Sequence, residues 1–321
     1  MKITPEQTAA LLREKDNILI LCHAHPDGDT LGCGYALCRA LLSLEKRAAV
    51  LCEVELPRAL AFLSEGMPKP DFEPEFVVAV DVATIKLLGD CVGERFGTRV
   101  DLCIDHHYTN SLFAENVLLD DTAAAASEII FQLLQIMHIE ITPIIAECLY
   151  VGVSTDTGCF RYSNVTSRTL RTAADLMDLG ADCARINREI FETKSRSFAM
   201  LERMALNSAQ TYFDGLLATV TVTQQMFRES GASEDEFDRI AAIPRQIEGV
   251  LVGAAIRELK SGAYKVSVRT NPPMNAADIC ARMNGGGHPA AAGCTLEGSP
   301  EENVKTLLLV VEDALRKAGK M

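Results

Sequence analysis

The sequence contains no apolar run long enough to cross a lipid bilayer, and its first residues lack the basic start and apolar core of a secretion signal. These absences predict a cytoplasmic protein that does not act at a membrane. The sequence also lacks a Cys-x-x-Cys pair, the common unit of a zinc knuckle. Its 11 cysteines are odd in number, and Cys22, Cys103 and Cys148 lie inside apolar runs. Buried, reduced thiols therefore explain the cysteines better than a disulfide framework does.

Positive charge is also scarce. The chain has 31 lysines and arginines against 44 aspartates and glutamates, a net charge of −13, and no tract rich in lysine or arginine. Proteins that hold long nucleic acids neutralise many phosphates and are usually basic. The charge therefore argues against long duplex nucleic acid as a partner and favours a small nucleotide or a short oligonucleotide.

What the sequence does have, over its first half, is an alternation of short apolar runs and amphipathic segments. The predicted elements include a helix over 5–15, a strand over 17–22, a helix over about 31–44 and a helix over 143–154. Strands that are apolar throughout suit a sheet buried on both faces. This part of the chain predicts a doubly wound α/β domain with a mainly parallel sheet.

The pattern changes near residue 213, where alternating strands become frequent. The predicted elements are a hairpin around Ser261-Gly262, a helix over 276–283 and a final helix near 300–317. A chain of 321 residues is long for one core, so two domains are expected. We predict an α/β domain over 1–188, a helical linker over 189–210 and a smaller α+β domain with a mixed sheet over 211–321.

Residue types that bind metals follow three of the buried strands. They are His23, Asp27 and Asp29 after the first strand, Asp81 after the second, and Asp105, His106 and His107 after the third. A fourth apolar stretch, which begins at Pro143, is followed by Asp156. In open α/β sheets ligands bind beyond the carboxyl ends of the strands. Because four segments deliver such residues to one edge of the sheet, the sequence predicts a metal centre there.

Taken singly, several of these residues have simpler interpretations. The PDGD segment around Asp27 is a common surface turn, Asp81 is a candidate helix cap, and Asp156 is a candidate loop aspartate. The pair His106-His107 is more specific, because consecutive imidazoles point in different directions, so one can bind a metal while the other faces substrate. The convergence of all these segments favours the metal interpretation.

The candidate metal ligands are two histidines and four aspartates: His23, Asp27, Asp29, Asp81, His106 and Asp156. One shared carboxylate would give two sites with roughly three or four protein ligands each. Asp27 and Asp29 are expected to lie in an extended loop, where alternate residues can serve different ions. Imidazole and carboxylate ligands suit two Mn²⁺ ions, with Mg²⁺, Co²⁺ or Zn²⁺ as alternatives. Paired ions of this kind are a standard device for phosphoryl transfer to water.

The second signal is the run Gly285-Gly286-Gly287-His288, which we expect to form a loop. Consecutive glycines let the backbone approach a ligand closely and present N–H groups to an anion. His288 adds a possible donor to a phosphate, and Arg269 is a candidate for a bidentate phosphate contact. A flexible turn and a surface arginine are the simpler alternatives.

These motifs resemble those of the DHH phosphoesterase superfamily. HAHPDGDTLG, the strand end at Asp81, DHH at 105–107 and the STDTG segment look like its N-terminal motifs, and SVRTN with NGGGHPAAAG looks like the DHH-associated C-terminal domain. The order and spacing match over nearly the whole chain. Length and layout are most similar to the bifunctional oligoribonuclease and pAp phosphatase group. The resemblance implies a dimanganese hydrolase with its active site in the cleft between the two domains.

The resemblance also implies a role for each candidate. The implied ligands fall into two sets that share a bridging aspartate: His23, Asp27 and Asp81, and then Asp29, Asp81, His106 and Asp156. The implied catalytic residues are His107, at the scissile phosphate or the leaving group, and Asp105, which orients the histidines. The residues implied to hold the nucleotide are Arg269, Gly286, Gly287 and His288, with Gly285 in the same run. Departures from the family pattern at Cys33, Asn284 and Pro289 are expected to affect substrate grip rather than the metals.

The predicted function is metal-dependent hydrolysis of phosphoester bonds in short nucleotides. The substrates expected are short RNA oligonucleotides, cleaved to mononucleotides, and 3′-phosphoadenosine 5′-phosphate (pAp), cleaved to AMP. One alternative is a phosphodiesterase for cyclic di-AMP or its linear product pApA; an inorganic pyrophosphatase is disfavoured by the glycine run. Another alternative is a non-catalytic nucleotide-binding sensor, disfavoured because all six ligand positions are filled. The direction of RNA degradation and the oligomeric state stay open, with a homodimer among the alternatives.

Overall fold

The computed structural model describes the backbone of residues 1–321 and every side chain except those at positions 235 and 238. The chain divides into two compact units, Met1–Thr193 (unit 1) and Lys194–Met321 (unit 2). The predicted domain boundaries at 188 and 211 lie on either side of this division. None of the helices among the described residues is long and apolar enough to span a membrane.

Unit 1 is built on a five-stranded sheet. Its strands are β1 (Ile18–Leu21), β2 (Ala48–Leu51), β3 (Phe76–Val80), β4 (Leu102–Asp105) and β5 (Asn116–Leu119). They lie in the order β2-β1-β3-β4-β5, and every neighbouring pair is parallel. The predicted parallel sheet is therefore confirmed.

Helices cover both faces of this sheet. They are α1 (Pro5–Glu14), α2 (Gly28–Ser43), α3 (Asp90–Phe96), α4 (Ala126–Ile136), α5 (Pro143–Asp156), α6 (Ser167–Asp178) and α7 (Cys183–Asn187). Alternate residues of a strand point to opposite faces, and β1 shows the consequence. Ile18 and Ile20 lie in an apolar cluster with residues of α2, α4 and α5, whereas Leu19 and Leu21 lie in a second cluster with residues of α3. The unit is thus doubly wound, as predicted.

Capping residues explain where the helices of unit 1 begin. The hydroxyl of Thr4 accepts from the backbone N–H of Gln7, and Oε1 of Gln7 accepts from the backbone N–H of Thr4. These two hydrogen bonds form a capping box at the start of α1. Asp27 caps α2 in a similar way, since its carboxylate accepts from the N–H groups of Asp29 and Thr30. The segment expected as an extended loop is therefore the cap and first turn of a helix, and that expectation was wrong.

Unit 2 contains a six-stranded mixed sheet in the order β10-β11-β9-β8-β7-β6. The strands are β6 (Gln210–Tyr212), β7 (Leu217–Val222), β8 (Val252–Glu258), β9 (Tyr264–Thr270), β10 (Gly286–His288) and β11 (Ala291–Leu296). Only β7 and β8 pair in parallel. The helices are α8 (Arg196–Asn207), α9 (Gln224–Ser230), α10 (Phe237–Ala241), α11 (Ala276–Ala281) and α12 (Pro300–Lys317). This arrangement confirms the α+β class with a mixed sheet.

The faces of the second sheet pack against different helices. Ala254 and Ile256 of β8 lie in a cluster with α11 and α12, whereas Ala255 lies in a cluster with α8, α9 and α10. Helix α8, which falls within the predicted linker, contributes Phe198 and Leu201 to the latter cluster. These residues are buried, so α8 is part of the core of unit 2.

The glycine-rich run, expected as a loop, contains the edge strand β10, which pairs antiparallel with β11. Gly287 has a φ of 147°, and a Cβ there would lie 2.6 Å from the Cα of Ala292. A larger residue would therefore have to push the neighbouring strand away. The run is a fixed hairpin arm, and the loop expectation was wrong.

Candidate metal centre

The candidate centre forms at the carboxyl edge of the sheet in unit 1. His23 follows β1, Asp81 follows β3, and Asp105 is the last residue of β4. Strands β1 and β3 are neighbours, but β2 lies on the other side of β1, so the chain order reverses between them. Ligand sites of open α/β sheets lie at such switch points. The edge predicted from the sequence is therefore the edge at which these side chains meet.

Helices α2 and α5 bring the remaining candidates to the same place. Asp29 lies in the first turn of α2, and Asp156 is the last residue of α5. The two helices pack so closely that a Cβ at Gly32 would lie 2.4 Å from the carbonyl oxygen of Cys148. A Cβ at Gly28 would lie 2.3 Å from Oγ1 of Thr155. Glycine at these points lets the start of one helix reach the end of the other.

Asp81 stands between two groups of candidate ligands. Its Oδ2 lies 3.7 Å from Nε2 of His23, and its Oδ1 lies 3.5 Å from Nε2 of His106. The residue is 3% exposed and has a φ of 58°, a left-handed conformation that is uncommon for residues other than glycine. Such strain persists only where the surroundings hold it, often at functional sites. Oδ1 of Asp81 also lies 3.6 Å from Nδ1 of His107, so the carboxylate faces His23 with one oxygen and the pair His106-His107 with the other.

The six predicted ligands form two groups around Asp81. In the groups His23, Asp27, Asp81 and Asp29, His106, Asp156, one ligand atom from each residue lies within 4.8 Å of the others. His23 Nε2 is 3.5 Å from Asp27 Oδ1, and His106 Nε2 is 3.2 Å from Asp156 Oδ2. The first group has the same members as one implied ligand set, and the second has those of the other set except Asp81. A third group joins Asp81, His106 and His107, so His107 also lies within reach of the same place.

The imidazole of His106 is held in the tautomer that a metal ligand needs. Its Nδ1 donates to the carbonyl oxygen of Ala123 (3.2 Å). In the neutral ring, the form that binds a metal, the lone pair then belongs to Nε2, the atom that faces Asp81 and Asp156. Nε2 of His106 and Oδ1 of Asp81 are buried and have no hydrogen-bond partner among the described residues. A divalent cation would satisfy both atoms.

His107 is oriented differently from its neighbour. Its Nδ1 donates to Oδ1 of Asp105 (2.8 Å), and its side chain is 42% exposed. Asn110 donates to the other oxygen of Asp105 (2.6 Å), which fixes that carboxylate. Asp105 also accepts from the main-chain N–H of His106, but the ring of His106 is held by Ala123 instead. Sequence reasoning did not find Asn110, because nothing distinguishes it from other polar residues in its turn.

Asp29 is held by the N-terminus of α4. The N–H of Ala126 donates to its Oδ2 (2.6 Å), and the N–H and Oγ of Ser127 donate to its Oδ1 (3.0 and 2.6 Å). Reasoning from the sequence did not identify Ser127 either. The Sγ of Cys33 lies 3.5 Å from Oδ1 of Asp29. The expectation that the departure at Cys33 concerns substrate grip was therefore wrong, since this sulfur contacts a predicted metal ligand.

The pKa shifts of the side chains in the centre indicate an excess of negative charge. Burial, together with nearby Asp29, raises the pKa of Asp81 well above the usual range of aspartate. Burial and the neighbouring Asp156 raise the pKa of Asp29 to about 6. Burial alone would lower the pKa of His106, but contacts with Asp156 and Asp81 raise it to about 12. A divalent cation would neutralise this buried charge, so the side chains fit the metal that the family resemblance implies.

The predicted nucleotide-binding residues lie in unit 2. Ala291 of β11 pairs with Arg269 of β9 on one side and with His288 of β10 on the other. Residues in one cross-strand row project from the same face of a sheet. The structure therefore places Arg269 and His288 on one face, although about twenty residues separate them in sequence. His288 is exposed, whereas Arg269 is partly buried and donates from Nη1 to the carbonyl oxygen of Val268 (3.1 Å).

Similarity to known domain families identifies the class of protein that has this fold and this centre. Residues 17–153 match the N-terminal domain of the DHH family, and residues 217–317 match the DHHA1 domain. The chain belongs to the DHH family.

Several relatives are similar over nearly the whole chain. A bifunctional oligoribonuclease and PAP phosphatase NrnA from Thermus thermophilus is 33% identical over 94% of this chain and 91% of its own. A protein of the same name from Bacillus subtilis is 23% identical over 88% and 90% of the two chains. A crystal structure of an exopolyphosphatase-related protein from Bacteroides fragilis has a TM-score of 0.86, 24% identity and 96% coverage of both chains. That structural likeness supports the fold described above.

Proposed function

We propose that this chain is a divalent-metal-dependent phosphoesterase that acts on short nucleotides. Its substrates are short RNA oligonucleotides, hydrolysed to mononucleotides, and pAp, hydrolysed to AMP. The observation that carries the proposal is the placement of Asp81, whose two oxygens face two separate groups of imidazole and carboxylate ligands. A shared carboxylate can hold two metal ions side by side, and paired ions are a standard device for phosphoryl transfer to water.

The relatives support the choice of substrate. The two relatives from Thermus thermophilus and Bacillus subtilis are both named as oligoribonucleases and PAP phosphatases, and each is covered over at least 90% of its length. The net charge of −13 agrees with substrates that carry few phosphates. A cyclic-di-AMP phosphodiesterase, GdpP from Geobacillus thermodenitrificans, is also related, at 23% identity over 45% of its length. Cyclic di-AMP therefore belongs among the substrates that a test must include.

The ligand chemistry supports Mn²⁺, with Mg²⁺ or Co²⁺ as alternatives. Two imidazoles and four carboxylates make a mixed nitrogen and oxygen set without thiolates. His23, Asp27 and Asp81 would hold one ion, and Asp29, His106 and Asp156 with the second oxygen of Asp81 would hold the other. Bound divalent ions would activate water and neutralise the charge that develops on the phosphoryl oxygens.

The chain's own acid is His107. Because Nδ1 donates to Asp105, Nε2 is the ring atom that carries a proton to the leaving oxygen. Asp105 fixes the ring orientation and stabilises the protonated imidazole, and Asn110 in turn fixes Asp105. Arg269 and His288, which share one face of the second sheet, bind the phosphate or base of the nucleotide.

A panel assay tests the proposal. The metal-free protein is reloaded with Mn²⁺ and offered pAp, pApA, cyclic di-AMP, pyrophosphate and a short RNA. We expect the highest kcat/KM on pAp and the short RNA, and no turnover without metal. Turnover confined to pyrophosphate or to cyclic di-AMP would contradict the substrate assignment. Failure to hold Mn²⁺ and to hydrolyse any of these compounds would favour a nucleotide-binding sensor.

A further inference from the structure

Arg168, on helix α6, lies between two carboxylates outside the group of predicted ligands. Its Nη1 is 2.5 Å from Oδ2 of Asp120, and its Nε is 3.1 Å from Oε2 of Glu128. Glu128 is 1% exposed, and neither of its oxygens has a hydrogen-bond partner among the described residues. A buried carboxylate is costly unless it is paired. Arg168 is therefore the group that compensates the charge of Glu128.

This arginine spans the segment that holds Asp29. Asp120 follows β5, and Glu128 lies in the first turn of α4. Between them lie Ala126 and Ser127, which together supply three donors to Asp29. Asp120 also accepts from the N–H and hydroxyl of Thr122 (3.1 and 2.6 Å), which ties its carboxylate to the same segment. Arg168 thus contacts both ends of the segment 120–128, and residues within this segment donate hydrogen bonds to the predicted ligand Asp29.

A second contact joins the start of α6 to the same segment. Asn164, just before the helix, donates from Nδ2 to the carbonyl oxygens of Ala124 and Asp156 (3.1 Å each). It therefore connects the segment to the backbone of another predicted ligand. Asn164, before α6, and Arg168, in its first turn, therefore contact the segment 120–128 at different residues.

We propose that Arg168 is a positioning residue of the metal centre. By pairing with Glu128 and Asp120 it fixes the start of α4, so that the donors of Ala126 and Ser127 keep Asp29 in a metal-binding orientation. This inference rests on the proposed function, because it assumes that the centre holds divalent cations. It concerns residues outside the predicted ligand set, and it would hold whichever phosphoester is the substrate.

Electrostatics and positioning predict opposite effects when Arg168 is replaced. Removal of a positive charge near a cation site should strengthen cation binding, or leave it unchanged, by Coulomb's law. Loss of a group that orients a ligand should weaken it, typically by about 10- to 100-fold for partners of metal ligands. The sign of the change therefore separates the two explanations.

Direct titration of the metal-free protein with Mn²⁺, by calorimetry or by electron paramagnetic resonance, tests the proposal without turnover. Arg168→Met should weaken one Mn²⁺ site by about 10- to 100-fold. Arg168→Lys keeps the charge but loses the planar fork, so it should weaken binding in the same direction by less. Ser127→Ala, which removes one donor to Asp29, should also weaken binding.

Arg171 provides the matched control. It lies one turn further along α6, donates to Oγ of Ser167 (2.9 Å) and carries the same charge. Arg171→Met should leave Mn²⁺ affinity within about twofold of the wild type, because surface charges are largely screened at ordinary salt. Equal weakening in this variant would overturn the proposal.

The outcomes are separable. A folded Arg168→Met protein with unchanged or tighter Mn²⁺ binding would show that the pair serves stability alone and would overturn the inference. If Arg168→Met does not fold, Arg168→Lys decides: unchanged Mn²⁺ affinity overturns the inference, and weakened affinity supports it. Absence of Mn²⁺ binding in the wild type would overturn the proposed function, and the inference with it.

Discussion

Replacement of Asp81 by asparagine is the most direct test of the centre. The amide has nearly the shape of the carboxylate, but one oxygen becomes an NH₂ group that cannot bind a cation. Asparagine tolerates a left-handed backbone, so the φ of 58° at this position should survive the change. Alanine would add a backbone penalty of about 1 kcal/mol and so mix two effects. Asparagine therefore isolates the loss of the bridging contact.

The structure sets the expected size of the effect. Asp81 is the residue that faces both His23 and His106, so its loss should impair both groups of ligands at once. We expect bound Mn²⁺ to fall from two equivalents to one or fewer, and kcat to fall by at least about 10³-fold, which corresponds to ~4 kcal/mol in activation free energy. The metal-free variant should be at least as stable as the metal-free wild type, because one of several crowded buried carboxylates becomes neutral.

Three measurements check this prediction together. Metal content of the purified protein gives the stoichiometry, turnover of pAp gives kcat, and thermal unfolding of the metal-free proteins gives relative stability. Near-normal turnover with two equivalents of Mn²⁺ would refute the bridging role. A large loss of stability would show that the side chain acts in folding, so the loss of activity would then say nothing about metals.

Four further predictions concern a glycine beside Asp29, the identity of the metal, the role of His288 and the length of the substrate. Gly152→Ala would place a Cβ 1.9 Å from Oγ of Ser127 and 2.5 Å from Oδ1 of Asp29, so it should destabilise the protein by about 1–3 kcal/mol and weaken Mn²⁺ binding. Gly93→Ala is the matched control, because Gly93 is also helical and a Cβ there would have its nearest neighbour 3.6 Å away. This change should lower neither the unfolding temperature nor the Mn²⁺ affinity. Chelation should abolish activity, and Mn²⁺ should restore it better than Ca²⁺, which prefers a larger all-oxygen shell; equal rescue by Ca²⁺ would contradict the ligand set. His288→Ala should raise KM for a nucleotide more than it lowers kcat, with a smaller effect on a small chromogenic phosphodiester; loss of bound Mn²⁺ with unchanged KM would reject the substrate role. In a length series of one base composition at fixed salt, from a dinucleotide to about twenty nucleotides, the rate should fall with length, and a flat or rising rate would point to a processive nuclease.

The elements that could be predicted from the sequence are those whose signals are local. A helix over 143–154 was expected, and α5 is found at Pro143–Asp156, with Pro143 in its first turn. The final helix, expected near 300–317, is found at Pro300–Lys317, where Ser299 and Glu302 form a capping box. Caps and first-turn prolines act within four residues, so the chain itself carries this information.

The errors arose where a local signal had two meanings. The segment around Asp27 contains proline and glycine, which usually indicate a turn, but its carboxylate also satisfies two N–H groups at the start of α2. The glycine run was expected to be a loop, yet it forms β10 because β11 supplies the ladder partners. Strand pairing depends on a second segment, and a single stretch of sequence does not reveal it.

The candidate centre was predicted better than the residues that hold it. Metal-binding residue types at strand ends are rare enough to be recognised. The partners of Asp29 on α4, in contrast, are 97 and 98 residues away in sequence, and two of the three donors there are main-chain N–H groups. Main-chain donors carry no residue-type signal at all, so only the packing of α4 against α2 identifies them.

The choice of those partners has a physical consequence for a metal centre. Asp27 accepts from N–H groups of α2, Asp29 accepts from N–H and hydroxyl groups of α4, and Asp81 and Asp156 face imidazoles. Neutral donors at a helix N-terminus stabilise a carboxylate without placing a fixed full positive charge beside it. A lysine or arginine in their place would compete with a divalent cation for the same oxygens. Arg168 instead contacts Glu128 at the start of α4 and Asp120 after β5, and these two carboxylates compensate its charge. The side chains that face the centre thus keep their affinity for a cation, while the fixed positive charge is used to hold the helix that positions them.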